Sequence, residues 1–289
     1  MTKLSDIAGR ITPQRHATVP LDDRGYLFAD GVYEVAAYFN QRMVDGDLHL
    51  DRLERSLKEL DMPMPFARRV IELRIARLIE MNRRQDGIIY LQVTRGIQRP
   101  RNHVYPKDLR SFLTMQILPA RPPEKALLEN GVAVVTTPDI RWARCDIKTI
   151  CLLPNILSRQ AAVKAKAREA WQVNAQGEVT EGTLSNAYII TQDNVLRTHP
   201  ATHDILGGIT RDVTLRLARD LGFTVEEKAF TVEEAYATKE AFLTSATSNV
   251  LPITSIDGNP IANGSVGEMT TTLSDAYHAR IQAQTGKQL

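Results

Sequence analysis

Apolar residues recur at helical spacing in the first third of the chain. Leu50, Leu53, Leu57 and Leu60 fall on one stripe and Ile71, Ile75, Leu78 and Ile79 on another, which predicts two amphipathic helices. Ile88 to Thr94 and Ser111 to Leu118 are β-rich runs of strand length that can pair antiparallel, so the helices and strands together predict an α+β layer. The run Pro119-Ala120-Arg121-Pro122-Pro123 is a stiff connector, and it divides a domain over 1–118 from one over 125–289, with 119–124 as the link. Beyond it the pattern predicts strands over Gly131–Thr137, Ala187–Thr191 and Ala241–Thr244. Helices are predicted over Asn155–Glu169, from Thr210 through Val213, Leu217 and Leu221, and near Met269, Leu273, Tyr277 and Ile281. No internal repeat is visible, and the expectation is two α/β domains, the first of α+β type.

Composition narrows the function. At 289 residues, 43% hydrophobic and 24% charged, the chain reads as an ordinary globular protein with room for two cores. A net charge of +2 gives no concentrated basic face for nucleic acid, and Arg68-Arg69 and Arg83-Arg84 read as solvated helix faces. Two cysteines, Cys145 and Cys151, make no disulfide framework and suit a reduced, cytoplasmic setting, in backbone expected to be buried. The start of the chain lacks an apolar signal core, and no run reaches the length of a membrane span. His199 and His203 are spaced as zinc ligands on a helix, but Pro200 spoils that presentation, so no metal is expected.

Candidate chemistry centres on Arg144-Cys145-Asp146-Ile147-Lys148-Thr149-Ile150-Cys151, where one lysine sits in an apolar run. An amine kept from water there is available as a nucleophile or base, although a lysine stem packed on Ile147 and Ile150 with its head in solvent fits the same pattern. Three later segments add to it. Glu178-Val179-Thr180-Glu181-Gly182 places a carboxylate, Glu181, just before a permissive glycine, with Glu178 read as a solvated turn residue. Leu206-Gly207-Gly208-Ile209-Thr210 reads as a glycine turn with Thr210 as helix N-cap, an arrangement that presents N–H groups to an anion. Thr244-Ser245-Ala246-Thr247-Ser248 offers hydroxyls after a strand as a second half of such a cradle.

Taken in order, these segments resemble the class IV aminotransferases that bind pyridoxal phosphate, most closely the D-amino-acid aminotransferases. The matching runs are Asp23-Arg24-Gly25-Tyr26, Asp30-Gly31-Val32-Tyr33-Glu34, His49-Leu50-Asp51-Arg52-Leu53, Gln92-Val93-Thr94-Arg95-Gly96 and Pro100-Arg101-Asn102-His103. They continue through Asp139-Ile140-Arg141-Trp142, Cys145-Asp146-Ile147-Lys148, Thr180-Glu181-Gly182, Gly208-Ile209-Thr210-Arg211 and Thr244-Ser245. The resemblance covers nearly the whole chain and implies a fold-type IV enzyme with pyridoxal 5'-phosphate at the interface of two domains. It implies Lys148 as the Schiff-base lysine and Glu181 as partner of the pyridine nitrogen. The phosphate would be held by Arg52, in the opening turn of the leucine-striped helix, and by the main-chain N–H groups of Ile209, Thr210, Ser245 and Ala246. Tyr33, Arg101 and His103 would trap the substrate carboxylate, the last two on a loop supplied by the other subunit of a homodimer.

The implied reaction moves an amino group between a D-amino acid, of the D-alanine or D-glutamate type, and a 2-oxo acid such as 2-oxoglutarate or pyruvate. A branched-chain L-amino-acid aminotransferase, an (R)-amine transaminase and an aminodeoxychorismate lyase are the alternatives on this fold, and a cofactor-binding protein without turnover is the non-enzymatic one. The chain departs from the pattern at Ala29, Leu184 and Ala246. Leu184 is expected beside the substrate side chain, tilting preference toward smaller or more apolar groups.

Overall fold

The computed structural model describes residues 3–120 and 124–288. The chain divides into two compact units. One runs to Ala120 and adds Ile147–Cys151 and Gln284–Lys287; the other holds the residues up to Asp146 and Leu152–Ala283. The 119–124 connector lies partly outside the described residues, at 121–123.

In the first unit the elements run β1 (Leu4–Ile7), β2 (Arg10–Pro13), α1 (Arg24–Phe28), β3 (Gly31–Phe39), β4 (Arg42–Met43), α2 (Gly46–Glu59), α3 (Arg68–Asn82), β5 (Gly87–Thr94) and β6 (Phe112–Leu118). The strands form an antiparallel six-stranded sheet in the order β2-β1-β6-β5-β3-β4. Alternation along β5 and β6 turns Ile89, Leu91, Val93, Leu113, Met115 and Ile117 to one face. That face packs in one core with Leu50, Leu53 and Leu57 of α2 and Ile71, Ile75, Leu78 and Ile79 of α3, so both leucine and isoleucine stripes are used as predicted. Each such side chain contributes about 1.5–3 kcal/mol by leaving water.

Lys148 follows the connector in sequence but belongs to this first unit by contact. Its neighbour Ile147 is 4% exposed within the same core. The segment lies along the start of β3: the Tyr33 N–H donates to the Lys148 carbonyl at 3.0 Å and the Ile150 N–H to the Gly31 carbonyl at 3.1 Å, with a bridge between Val32 and Thr149. Only glycine fits at position 31, because a Cβ there would stand 2.6 Å from the Val93 carbonyl oxygen.

The second unit contains α4 (Lys125–Asn130), β7 (Val132–Pro138), α5 (Leu153–Lys164), β8 (Glu169–Val173), β9 (Glu178–Gly182), β10 (Asn186–Ile190), β11 (Val195–Thr198) and α6 (Ile209–Asp220). It continues with β12 (Thr224–Glu227), β13 (Phe230–Thr231), α7 (Val232–Tyr236), β14 (Glu240–Ser245), β15 (Asn249–Ile256), β16 (Asn259–Pro260) and all but the last two residues of α8 (Glu268–Thr285). Nine strands follow the order β12-β11-β10-β14-β15-β7-β8-β9-β13, with β16 paired to β15. Parallel pairs (β11 with β12, β15 with β7, β7 with β8) mix with antiparallel ones.

Two predicted boundaries shift. The helix expected over Asn155–Glu169 stops at Lys164, and Glu169 opens a strand, because Lys166 turns the chain with φ 58 and Ala167 and Ala170 are small enough to pack against Ala162. The helix expected to be capped by Thr210 starts earlier: Gly208 is the N-cap and Thr210 lies in the first turn. Its buried face runs through Val213, Leu215 and Ala218, while Leu221 ends the helix exposed.

Candidate active site

Two groups of side chains in the first unit carry the predicted chemistry. In the first group, β3 presents Tyr33 and Glu34 on opposite faces by strand alternation. The Lys148 Nζ stands 4.3 Å from the Tyr33 ring centroid, and Tyr33 stacks on Tyr90 at 5.7 Å. Lys148 is half-buried, Cys151 is exposed and Cys145 half-buried, so the run read as buried backbone is an alternating segment with Ile147 and Thr149 inward.

On the other face, Glu34 accepts from Arg52 Nε and Nη2 at 2.8 Å each and meets His49 Nδ1 at 2.8 Å. Arg52 sits in the second turn of α2, not its opening turn, since the helix begins at Gly46; His49, three residues earlier on the same face, joins it. Burial would push the Glu34 carboxyl up, but Arg52 and His49 together hold it down at about 2. Sequence reading assigned no role to Glu34 or His49, although both lie inside runs that carried the resemblance.

The second group is the loop after β5. Arg101 rests its guanidinium 4.3 Å from the centroid of Phe28, and His103 meets the same ring at 5.2 Å. Both residues are exposed. Among the described residues neither side chain has a hydrogen-bond or ion-pair partner. Beneath them Arg24 and Arg95 share Asp30, at 2.8 and 2.9 Å.

The second unit gathers the remaining predicted residues on the ends of β9, β10 and β14 and the start of α6. Glu181, at the end of β9, accepts from Asn186 Nδ2 at 3.0 Å and from the Leu206 N–H at 3.2 Å to each oxygen. It also forms an ion pair with Arg141. Arg141 in turn donates to Asp139 at 2.6 Å, to Thr180 Oγ1 at 3.1 Å and to the Asp204 carbonyl at 3.0 Å. Burial opposes ionisation of Asp139, yet the Arg141 fork outweighs it and lowers that carboxyl below its ordinary range. Burial pushes the neighbouring Cys145 thiol up to about 12, keeping it neutral among these charges. Asp139 and Arg141 were legible only as a matching motif without a role.

Asn186 links this carboxylate to the predicted phosphate cradle. It pairs in register with Thr244 of β14, next to Ser245, and its Oδ1 lies where any Cβ at Gly208 would collide, which fixes glycine at the N-cap of α6. With no side-chain cap there, the first-turn amides, those of Ile209 and Thr210 among them, are ones that a helix start leaves without an intrahelical acceptor, as an anion site requires. Ser245 ends β14 and Ala246 begins the turn to β15, and the Ser245 hydroxyl accepts from the Ser248 N–H at 3.0 Å. Leu184 is 63% exposed at the tip of the Gly182–Ser185 turn, which Glu169 fastens through Thr183 and Ser185.

Taken unit by unit, the first offers the Lys148 amine, which suits an aldehyde, and the second offers a carboxylate ringed by donors and an uncapped helix start, which suit a ring nitrogen and a phosphate. Pyridoxal phosphate fits this donor set. Residues 31–256 match the family model of amino-transferase class IV. The chain is 42% identical over 279 residues, 96% of its length and 97% of the relative's, to a D-alanine aminotransferase of Bacillus licheniformis.

The chain belongs to the class IV aminotransferase family.

Solved structures agree with this placement. The branched-chain aminotransferase of Thermoproteus uzoniensis, solved with norvaline, matches with a TM-score of 0.87 at 25% identity, covering 98% of this chain and 96% of that one. A hypothetical aminotransferase from Mycobacterium tuberculosis, solved in its PLP-bound form, matches with a TM-score of 0.82 at 21% identity, covering 97% and 99%. The fold is therefore that of the fold-type IV aminotransferases. Among the described residues no group of three His, Cys, Asp or Glu side chains could hold a metal ion, and no helix is long and apolar enough to cross a membrane.

Proposed function

We propose that this class IV aminotransferase moves the amino group of a D-amino acid, of the D-alanine or D-glutamate type, to a 2-oxo acid such as 2-oxoglutarate or pyruvate, as a cytoplasmic homodimer with pyridoxal 5'-phosphate. One observation carries the D-amino-acid reading: on one loop, Arg101 and His103 share the Phe28 ring and have no carboxylate partner among the described residues. A guanidinium exposed, pre-oriented by an aromatic face and uncommitted is suited to take a carboxylate from solution through two parallel hydrogen bonds. The relatives named D-alanine aminotransferase, 38–42% identical over nearly the whole chain, support the same reading.

Pyridoxal phosphate, when bound, supplies an aldehyde that condenses with amines and a ring that accepts electrons released at Cα. Lys148 is the amine that would hold the aldehyde, and once displaced by substrate it would carry the Cα proton as base and then acid. The backbone pairing of its segment with Gly31 and Tyr33 keeps that amine in place. Glu181 would hold a proton on the ring nitrogen, its orientation fixed beforehand by Asn186 and Leu206. Arg52, with the amides of Ile209, Thr210, Ser245 and Ala246, would bind the phosphate; Glu34 fixes the plane of the Arg52 guanidinium through two hydrogen bonds. Tyr33, Arg101 and His103 would bind the substrate carboxylate.

The test is a substrate panel. D-alanine, L-leucine and (R)-1-phenylethylamine are offered as donors, with 2-oxoglutarate and pyruvate as acceptors. Fast turnover of D-alanine alone is expected; preference for L-leucine or for the carboxylate-free amine would overturn the assignment.

A further inference from the structure

We propose that Arg24 is a positioning residue for the substrate carboxylate, a buried clamp that sets the pose of the loop bearing Arg101 and His103. The inference rests on the reading of those two residues given above. Arg24 is 5% exposed in its side chain, and its guanidinium spends its donors on both sides of the loop's geometry. Nε donates to Asp30 at 2.8 Å, Nη1 to Gln98 Oε1 at 2.5 Å and to the Asn102 carbonyl at 2.6 Å, and Nη2 to the His103 carbonyl at 3.1 Å.

The two carbonyls belong to the residue between Arg101 and His103 and to His103 itself. Fixing these two consecutive peptide planes fixes φ and ψ of His103 and so the direction in which its side chain leaves the backbone, and it anchors the chain one residue beyond Arg101. The loop is closed from within as well: Gln98 Nε2 donates to the Val104 carbonyl at 2.8 Å, and the Val104 N–H to Asn102 Oδ1 at 3.1 Å. Gln98 is thus the hinge point that Arg24 holds. At its other end the clamp is Asp30, which Arg95 also grips and which immediately precedes β3 with Tyr33. Arg24 lies 4.8 Å from the Phe28 ring on which Arg101 rests. One guanidinium therefore ties the base of the strand bearing Tyr33 to the Arg101 loop of the same chain, which in the proposed homodimer serves the neighbouring subunit's site. The loop side chains themselves are exposed and gain no rigidity from a core, so their pose depends on this buried group.

Arg24→Met keeps the side-chain volume and apolar stem while removing all four donations, and Arg95 remains to neutralise Asp30. In the cofactor-loaded enzyme this variant should raise KM for D-alanine by about tenfold or more, with KM for a primary amine lacking a carboxylate within about twofold of the parent. Hydrogen exchange should quicken at the amides of residues 98–105 and stay unchanged in β5 and β6. Arg24→Lys, which restores one charge but reaches fewer acceptors, should recover part of the selectivity. Should Arg24→Met fail to fold, Gln98→Ala removes only the loop-side hold and should give a weaker form of the same carboxylate-selective loss. Arg101→Ala is measured in parallel. If it raises KM selectively while neither Arg24→Met nor Gln98→Ala does, the clamp is refuted and the carboxylate site stands; if no variant is selective, both fall. An equal rise for both substrate types would show a purely structural role and also refute the clamp.

Discussion

Arg141 and Arg101 carry the same guanidinium in opposite circumstances. Arg141 is 6% exposed and spans Asp139, Glu181, Thr180 and a backbone carbonyl; Arg101 is exposed, with only an aromatic ring beneath it. The first is consumed in building its surroundings, so that the Glu181 carboxylate keeps one orientation. The second has its hydrogen-bonding capacity in reserve. Charge that must hold a group still is buried and fully paired; charge that must greet an incoming anion is left half-wet and supported from one side. Arg52, paired with Glu34 at 9% exposure, lies nearer the first case and Arg24 belongs to it entirely, although both serve sites that take anions in the proposed enzyme.

Four substitutions and one pH measurement would break or sharpen this contrast. The largest effect is expected at Lys148, which neither arginine can replace: Lys148→Ala should cut turnover by at least about four orders of magnitude, and appreciable residual transamination by a homogeneous sample would reject its role. Arg141→Leu strands Asp139 and Glu181 without their counter-charge and should destabilise the fold by about 3–5 kcal/mol, read from urea unfolding. A loss below about 1 kcal/mol would mean that the buried network is not structural. Arg101→Ala should do the reverse, leaving unfolding within about 0.5 kcal/mol of the parent while weakening carboxylate substrates by about 2–4 kcal/mol in kcat/KM. Equal losses for a carboxylate-free amine would remove Arg101 from the trap.

Acid lability follows from Glu34. Its carboxyl titrates at about 2 in the fold against an ordinary 4.5, so the unfolded chain binds the extra proton first as pH falls. The stabilisation is complete above about 4.5 and disappears as pH drops through about 2. Urea midpoints measured across that window should decline less steeply in Glu34→Gln than in the parent; parallel slopes would contradict the assignment. The smallest effect is expected at Leu184, whose exposure predicts a stability change within about 0.5 kcal/mol on substitution by alanine, with any consequence confined to the relative rates of large and small substrates.

Local periodicity was enough for α2, α3, β5 and β6, where Leu50, Leu53, Leu57, the isoleucine stripe with Leu78, and the alternate residues of the two strands face one core as their spacing required. It failed on α5, whose outward side shows Leu153, Ile156, Leu157 and Val163 while Ser158 and Ala162 are buried, so apolar spacing there does not mark the packed face. The polar partners were beyond its reach. Glu34 meets Arg52 across a strand and a helix, Arg141 meets Glu181 from a different segment, and Arg24 meets Asn102 and His103 through their backbone carbonyls. Such pairs have no fixed spacing, and backbone acceptors leave no trace in residue identity. The resemblance to the aminotransferases marked Lys148, Glu181 and Arg101 with roles, whereas the roles of the residues that hold them were visible only in three dimensions.

The pairing of Ile147–Cys151 with the first residues of β3 sets an order of assembly. During synthesis, β3 emerges long before the lysine that must be laid against it, and the intervening chain has to be closed into a large loop first, which makes this a slow, entropically opposed contact. Every strand of the antiparallel sheet precedes residue 147 in the chain, while Ile147 completes the core beneath that sheet, so the segment bearing the proposed Schiff-base amine is laid down only after half of the chain has been made.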